Sequence, residues 1–243
     1  MKTAYVHHAE STVMQMMVVY LLHRGLQITA SFATSEQAEQ FHSDLSVHDQ
    51  KNCRTIVAPD LGMKGIESVL SASAEHMQGL DFYIHGSSWV DELSELQSDP
   101  AAFALTSHRQ LSELFLYTRA AGHFMARKQS GQMIVPILAD MMHYSGFPSS
   151  PVYNQGAQAY VKSFAKEMTP FRVSVNTLTF GYYRMENHIN AGRSRRKNYD
   201  MFTLKPSVPE LEELVQGLGL LLDYGQGMSG QNITWGYGIP SVL

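Results

Sequence analysis

The sequence predicts a single α/β domain built on a doubly wound, mostly parallel sheet of seven strands. Short β-rich segments alternate with amphipathic helical segments along the 243 residues. This alternation is typical of a parallel sheet covered by helices on both faces. A chain of this length fits one domain with a sizeable core. No internal repeat, linker or low-complexity tract divides it, so residues 1–243 are assigned to one domain.

The strands and helices can be placed along the chain in order. The candidate strands are Thr3–His7, Gln27–Phe32, Arg54–Ala58, Asp81–His85, Met133–Leu138, Arg172–Leu178 and Asn232–Trp235. The first helix carries an apolar stripe with i, i+3, i+4, i+7, i+8 spacing, which predicts a core-facing side. That stripe consists of Val13, Met16, Met17, Tyr20 and Leu21. A long helix is predicted over Ala101–Lys128. The last helix is predicted to have Pro209 in its first turn, with Ser207 and Glu210 as a capping-box pair.

Composition excludes several classes of partner and site. The formal net charge of −4 gives no reason to expect nucleic acid or an anionic membrane surface as a partner. A single cysteine, Cys53, excludes an internal disulfide and a cysteine-rich zinc site. The N-terminal segment Met1–His8 is too short and polar for a signal peptide, and no apolar run reaches the roughly 20 residues of a membrane span. We therefore expect a soluble cytoplasmic protein.

A helical segment with Tyr153 at its start, followed by an apolar strand, resembles the catalytic helix and next strand of the short-chain dehydrogenase/reductase family. The likeness covers nearly the whole chain in order and spacing. Its further fragments are Asp60 after the third strand, His85-Gly86-Ser87-Ser88, Phe180-Gly181-Tyr182 and Ser229-Gly230-Gln231-Asn232-Ile233. The resemblance implies a Rossmann-like fold. It also implies a homodimer or homotetramer that packs through the helices at Ala101–Lys128 and Val152–Met168.

The turn after the first strand differs from the family's dinucleotide-binding turn. Family members that bind NAD or NADP have Gly-x-x-x-Gly-x-Gly there, since glycine permits positive φ and a close approach of backbone N–H groups to the pyrophosphate. The three glycine positions fall on His8, Thr12 and Met14. Met14 places a long side chain where the pyrophosphate would lie. No cofactor is therefore expected, with NAD(P) in an unorthodox pose as the alternative.

The family's catalytic residues are altered as well. The resemblance places Asp140 at the position of the family's Ser, Gln110 at that of its Asn, and Ala157 at that of its Lys. Ionising a Tyr of pKa near 10 at pH 7 costs about 4 kcal/mol, and no Lys reduces that cost here. Tyr153 is therefore interpreted as a neutral hydrogen-bond donor or acid, with Asp140 as the candidate base. The alternative is that the two residues only bond each other and nearby backbone.

Histidines follow the strands that should lie beside Asp140. In a doubly wound sheet, the ends of the first, fourth and fifth strands bring His7 or His8, His85 and Asp140 to one crevice. Three interpretations stay open: an acid/base set, a metal site, or polar side chains that fill the vacated cofactor groove. No metal is assigned, because no close-spaced ligand motif such as His-Glu-x-x-His occurs. His143 is a further candidate near the site.

The irregular region Gly181–Lys205 is long enough to form a lid, assigned to residues 182–205. Its Arg184 and the basic run that begins at Arg193 suit an anionic group, such as a phosphopantetheine arm, a carboxylate or a carrier protein's acidic surface. A solvated charge run is the alternative. Tyr182 and Tyr183 either wall an apolar substrate or pack the lid on the body of the domain.

These features favour an enzyme that has lost hydride transfer. We expect it to bind a small carbonyl, hydroxy or acyl-thioester compound and to catalyse a dehydration, isomerisation, cyclisation or elimination. One alternative is an inactive subunit that supports a partner enzyme or carrier protein. Another is an oxidoreductase, such as an NADPH-dependent carbonyl reductase, that holds its cofactor in an unusual pose.

Overall fold

The computed structural model describes residues 1–58, 62–140, 148–181, 183–184 and 209–236. Within these residues seven strands form one sheet in the order β3-β2-β1-β4-β5-β6-β7, and every neighbouring pair is parallel. The strands are β1 (Thr3–His7), β2 (Gln27–Phe32), β3 (Cys53–Val57), β4 (Phe82–His85), β5 (Gly131–Leu138), β6 (Val173–Phe180) and β7 (Asn232–Trp235). The predicted doubly wound, Rossmann-like α/β fold is thereby confirmed.

Helices cover both faces of the sheet and bury two apolar clusters against it. They are α1 (Thr12–His23), α2 (Ser35–Asp44), α3 (Val47–Gln50), α4 (Met63–Met77), α5 (Glu92–Ser98), α6 (Pro100–Lys128), α7 (Pro151–Met168), α8 (Leu211–Val215) and α9 (Leu218–Tyr224). One cluster contains the apolar sides of α1, α8 and α9, and the other contains those of α4, α6 and α7. None of the described helices is long and apolar enough to cross a membrane.

The helix boundaries follow from local capping. Helix α6 begins with Pro100 after an Asp99 carboxylate that accepts from the N–H groups of Ala101 and Ala102, as expected for proline in a first turn. The predicted start of the last helical region is wrong in detail. Glu210 has an extended backbone and is itself the N-cap of α8, forming a capping box with Glu213. It is therefore not the third helical residue after Ser207, which lies outside the described residues.

The sheet places the ends of several strands at one edge. His7 and His85 are paired in register at the C-terminal ends of β1 and β4, and Asp140 follows the end of β5. Helix α7 begins beside this edge with Tyr153 in its first turn. The fold therefore brings His7, His85, Asp140 and Tyr153 toward the edge at which open α/β sheets usually bind ligands.

At the opposite edge, an acidic side chain joins the starts of β1 and β4. The Asp81 carboxylate accepts from the Thr3 backbone N–H at 2.9 Å and from Lys128 Nζ at 2.7 Å. Burial alone would raise the pKa of Asp81, but Lys128 and Thr3 outweigh it and hold that pKa below its usual value. The ionised form is thus favoured in the folded state.

We expect Asp81→Asn to lower the free energy of unfolding at neutral pH by about 1 kcal/mol, because it removes a charge-assisted hydrogen bond. Since the folded pKa is depressed, this stabilisation is complete above the unfolded pKa near 3.9. It disappears as the pH falls through the lower folded pKa. Urea unfolding of both proteins from pH 7 to pH 3 measures the difference. The exposed Asp44→Asn is the control, and an Asp81→Asn effect that persists in acid would contradict this account.

Candidate functional site

Three histidines and a tyrosine form a buried cluster at the ends of β1 and β4. The His7 ring lies 3.7 Å from the Tyr117 ring, 4.2 Å from the His8 ring and 5.1 Å from the His85 ring, centroid to centroid. Neighbouring residues of a strand point to opposite faces. His8 instead has a left-handed backbone, with φ of +50°, and its ring stays close to that of its neighbour. His7 and His85 therefore meet as predicted, whereas no contact joins Asp140 to either of them among the described residues.

Two carboxylates hold His8. Its Nε2 lies 2.9 Å from Glu113 Oε2, and its Nδ1 lies 3.2 Å from Glu10 Oε1. The other Glu113 oxygen accepts from Arg109 Nε at 3.0 Å. Burial alone would lower the pKa of His8, but the two carboxylates raise it to about 9. A positive imidazolium at His8 is therefore favoured at neutral pH.

The other two histidines are held neutral. Burial, together with the positive charge favoured on His8, keeps the pKa of His7 well below its usual value and lowers that of His85 to about 3. His7 Nδ1 lies 3.1 Å from Ser31 Oγ, and His85 Nδ1 lies 2.8 Å from the hydroxyl of Tyr83. His7 Nε2 is buried with no hydrogen-bond partner among the described residues. It remains available to a ligand.

Tyr153 projects from α7 toward the end of β4. Its side chain is buried, and within the described part of the chain neither its hydroxyl nor that of Ser87 has a hydrogen-bond partner. Burial raises the pKa of Tyr153 above its usual value, an effect that the nearby Ser87 hydroxyl partly offsets and that the Glu113 charge increases. Ala157 is also fully buried. The tyrosine is therefore a neutral hydroxyl with an unused hydrogen-bonding capacity.

The Asp140 side chain is bonded by a residue of α7 and not by the histidines. Asn154 Nδ2 donates both to the Asp140 carboxylate and, at 2.6 Å, to the Leu138 carbonyl. Burial raises the pKa of Asp140, while the Asn154 hydrogen bond and a backbone contact from Ser150 partly oppose that rise. A raised pKa is the direction that a carboxylate base needs near neutral pH. No direct bond between Asp140 and Tyr153 occurs among the described contacts.

Glu92 fixes the start of α7. Its buried carboxylate accepts from the backbone N–H groups of Val152 at 2.7 Å and Tyr153 at 2.9 Å. The N-cap residue Ser150 makes no side-chain cap bond itself, and its hydroxyl donates instead to the Val90 carbonyl. A carboxylate from the first turn of α5 thus takes the role of the capping side chain and fixes the position of Tyr153.

Gln110 reaches the site from α6. Its amide nitrogen donates to Ser88 Oγ at 2.8 Å, and its Oε1 is buried without a partner among the described residues. Glu113 and Tyr117 follow on the same face of the helix at i+3 and i+7. Sequence reasoning missed both, although their spacing from Gln110 was a usable signal.

A buried methionine follows the turn after β1. Ser11 caps α1 by accepting from the Met14 N–H, and the Met14 side chain is fully buried. The methyl of Met14 would lie 2.8 Å from a Cβ built on Gly86. The Met14 side chain therefore packs against the backbone just after β4. His8 keeps a positive φ at the first glycine position but adds a ring.

Several predicted residues lie outside the described part of the chain: Asp60, His143, Tyr182, Arg193 and most of the 182–205 lid. Tyr183 is partly buried against the cluster that contains α1. The Arg184 guanidinium donates to Glu210, and its backbone N–H donates to the Pro209 carbonyl at 2.9 Å. Arg184 is thus engaged at the start of α8. Substrate binding by these residues stays a prediction.

The comparisons with known proteins leave the family unassigned. No protein-family model matches this sequence, and no curated protein matches it. The resemblance to short-chain dehydrogenases/reductases therefore rests on the short sequence fragments quoted above and stays a hypothesis.

Proposed function

We propose that this protein is a divergent short-chain dehydrogenase/reductase-like enzyme that catalyses non-redox acid/base chemistry on a small carbonyl, hydroxy or acyl-thioester compound. The observation that carries the proposal is the buried Tyr153 hydroxyl, which has no partner among the described residues and lies near the equally unpartnered Ser87 hydroxyl. A buried donor without a partner costs about 1–3 kcal/mol. A substrate oxygen that accepts from both hydroxyls removes that cost.

The roles follow from the protonation states. Asp140 accepts a proton from a carbon next to the substrate's carbonyl group. Tyr153, which stays neutral because its pKa is raised, donates a hydrogen bond to the oxygen on which negative charge develops. Ser87 supplies a second neutral donor. Protonated Asp140 then gives its proton to a β-hydroxyl, which leaves as water in an elimination, or returns it at another carbon, which completes an isomerisation.

The filled turn after β1 supports chemistry without a nicotinamide. Met14, at a glycine position of the family's dinucleotide-binding turn, packs toward Gly86, and the buried Ala157 stands at the position of the family's catalytic lysine. Both changes act against hydride transfer from a nicotinamide. They leave the tyrosine and the crevice in place, which suits a proton-transfer reaction on a similar class of substrate.

A ligand screen tests this proposal. Calorimetry and thermal shift compare NADH and NADPH with a β-hydroxyacyl thioester, an enoyl thioester and a small β-hydroxy ketone. Saturable binding of a thioester or ketone, weakened in Tyr153→Phe, is the expected result. Saturable binding of NADPH would favour the reductase alternative instead. Binding of none of the probes would favour the inactive subunit and overturn the proposal.

We also propose a homodimer or homotetramer through α6 and α7. Large apolar side chains on these helices are exposed in the single chain: Leu105, Phe115 and Val152. Phe115 lies against Tyr160 of α7 with ring centroids 5.9 Å apart, so the two helices present one surface. A second copy of the chain would bury it. Sedimentation across a range of protein concentrations tests this assembly.

A further inference from the structure

The strongest unassigned feature is a cluster of two imidazoles and one carboxylate in the crevice. One ligand atom each from His7, His8 and Glu113 lies within 4.8 Å of the other two. His8 Nε2 and Glu113 Oε2 are already 2.9 Å apart. Ligand atoms around a tetrahedral zinc ion, with bonds of about 2.0–2.1 Å, are about 3.3 Å apart. Small side-chain movements would therefore bring the three atoms to that spacing.

The His7 ring supplies an independent sign of a ligand. The residue is 1% exposed, and its Nε2 has no hydrogen-bond partner in the described ranges. Its Nδ1 lies 3.1 Å from Ser31 Oγ. A proton on Nδ1 that is donated to Ser31 leaves a lone pair on Nε2. Buried polar atoms of this kind rarely lack a partner, and a metal ion would supply one.

Each of the three side chains has a partner that fixes its orientation. Ser31 holds His7, Glu10 holds His8 through Nδ1, and Arg109 holds the second oxygen of Glu113. Metal-binding histidines commonly donate the nitrogen that does not bind the metal to a carboxylate or another acceptor, and metal-binding carboxylates are hydrogen-bonded in turn. Each of the three proposed ligands therefore has a hydrogen-bond partner of this kind.

The backbone adds a further observation. His8 holds a positive φ, which is unfavourable for a residue with a Cβ. Such conformations cost of order 1–3 kcal/mol and occur where the surroundings impose them, often at ligand sites. Here the conformation keeps the His8 ring beside that of His7 and directs it to Glu113.

We propose that His7, His8 and Glu113 bind a divalent transition metal, with zinc as the best-suited ion. The ion displaces the proton that lies between His8 Nε2 and Glu113 Oε2, which are 2.9 Å apart. Nitrogen ligands disfavour calcium and magnesium, whereas two imidazoles and one carboxylate suit zinc or iron(II). Three protein ligands leave a coordination position for water or a substrate oxygen. This site goes beyond the proposed function and does not depend on it, since Tyr153 and Asp140 are not ligands.

Metal uptake by the full chain tests the site without any substrate. After dialysis against a chelator, the protein is titrated with Zn²⁺ and, for visible absorption, with Co²⁺. The expected stoichiometry is one ion per chain by elemental analysis. His7→Gln and Glu113→Gln should each weaken binding at least about 100-fold, and Glu10→Gln about 10- to 100-fold.

The surface pair His123 and Glu67, 3.9 Å apart, provides the matched control. His123→Gln should leave affinity and stoichiometry unchanged. Glu10→Gln keeps the test valid if the buried variants fail to fold, because Glu10 is only half-buried. Zinc affinity that is unchanged in Glu10→Gln, or stoichiometry that falls equally in His123→Gln, would overturn the proposal.

Discussion

Tyr153→Phe is expected to lower turnover of the substrate found by the ligand screen about 100- to 1000-fold, while the protein becomes more stable. Removal of one hydrogen-bond donor to a developing oxyanion has costs of this size in other enzymes. The same change deletes a buried hydroxyl that has no partner among the described residues. The free energy of unfolding should therefore rise by about 1 kcal/mol. Initial-rate kinetics and urea unfolding measure the two effects.

Tyr160→Phe is the matched control for this prediction. Tyr160 lies two turns later on α7, and its hydroxyl is 2.8 Å from Thr118 Oγ1. Its removal breaks a hydrogen bond outside the site, so stability should fall slightly and turnover should stay unchanged. Full turnover in Tyr153→Phe would remove Tyr153 from the mechanism. Lower stability in that variant would show that its hydroxyl has a partner in the folded protein.

Gly86→Ala is expected to lower the free energy of unfolding by about 3 kcal/mol, at the upper end of typical overpacking costs. A Cβ at this position would lie 2.5 Å from the carbonyl oxygens of both His7 and His8. These are backbone atoms of β1 and of the turn after it, so no side-chain rotation relieves the contact. The ends of β1 and β4 must separate, which also moves the His7 and His85 rings apart.

Gly227→Ala tests the same chemical change at an open position. A Cβ there meets no atom within 4 Å, and the expected effect is within about 0.5 kcal/mol. Urea unfolding of both variants, with zinc uptake of the folded Gly86→Ala protein, gives the comparison. Equal stability of the two variants would mean that the close approach of Gly86 to β1 does not exist in solution.

The fold followed from the sequence because periodicity and strand length are local signals. β1, β2 and β7 begin and end where the apolar runs predicted, and the other strands differ by one or two residues at one end or at both. Helix α1 also buries Met14 and Val18, which lie outside its predicted stripe, while Met16 and Tyr20 of that stripe are only partly buried. A helix that packs between a sheet and two later helices buries a wider arc than a surface helix does.

The site was harder to predict, because its decisive contacts join distant parts of the chain. The His8 and Glu113 side chains are 105 residues apart in sequence, and Glu92 bonds a backbone group 61 residues away. Neither pair leaves a local pattern. Asp140 was correctly placed near the end of β5, but its bond to Asn154 depends on where α7 begins.

Glu92 has a consequence for the choice of ligand. A helix start normally attracts anions, because its first N–H groups point outward and its dipole is positive there. At α7 two of these groups already face an internal carboxylate. These two N–H groups are therefore not available to a phosphate or carboxylate group of the substrate. Its charge must therefore be met by cationic side chains rather than by the helix that carries the tyrosine.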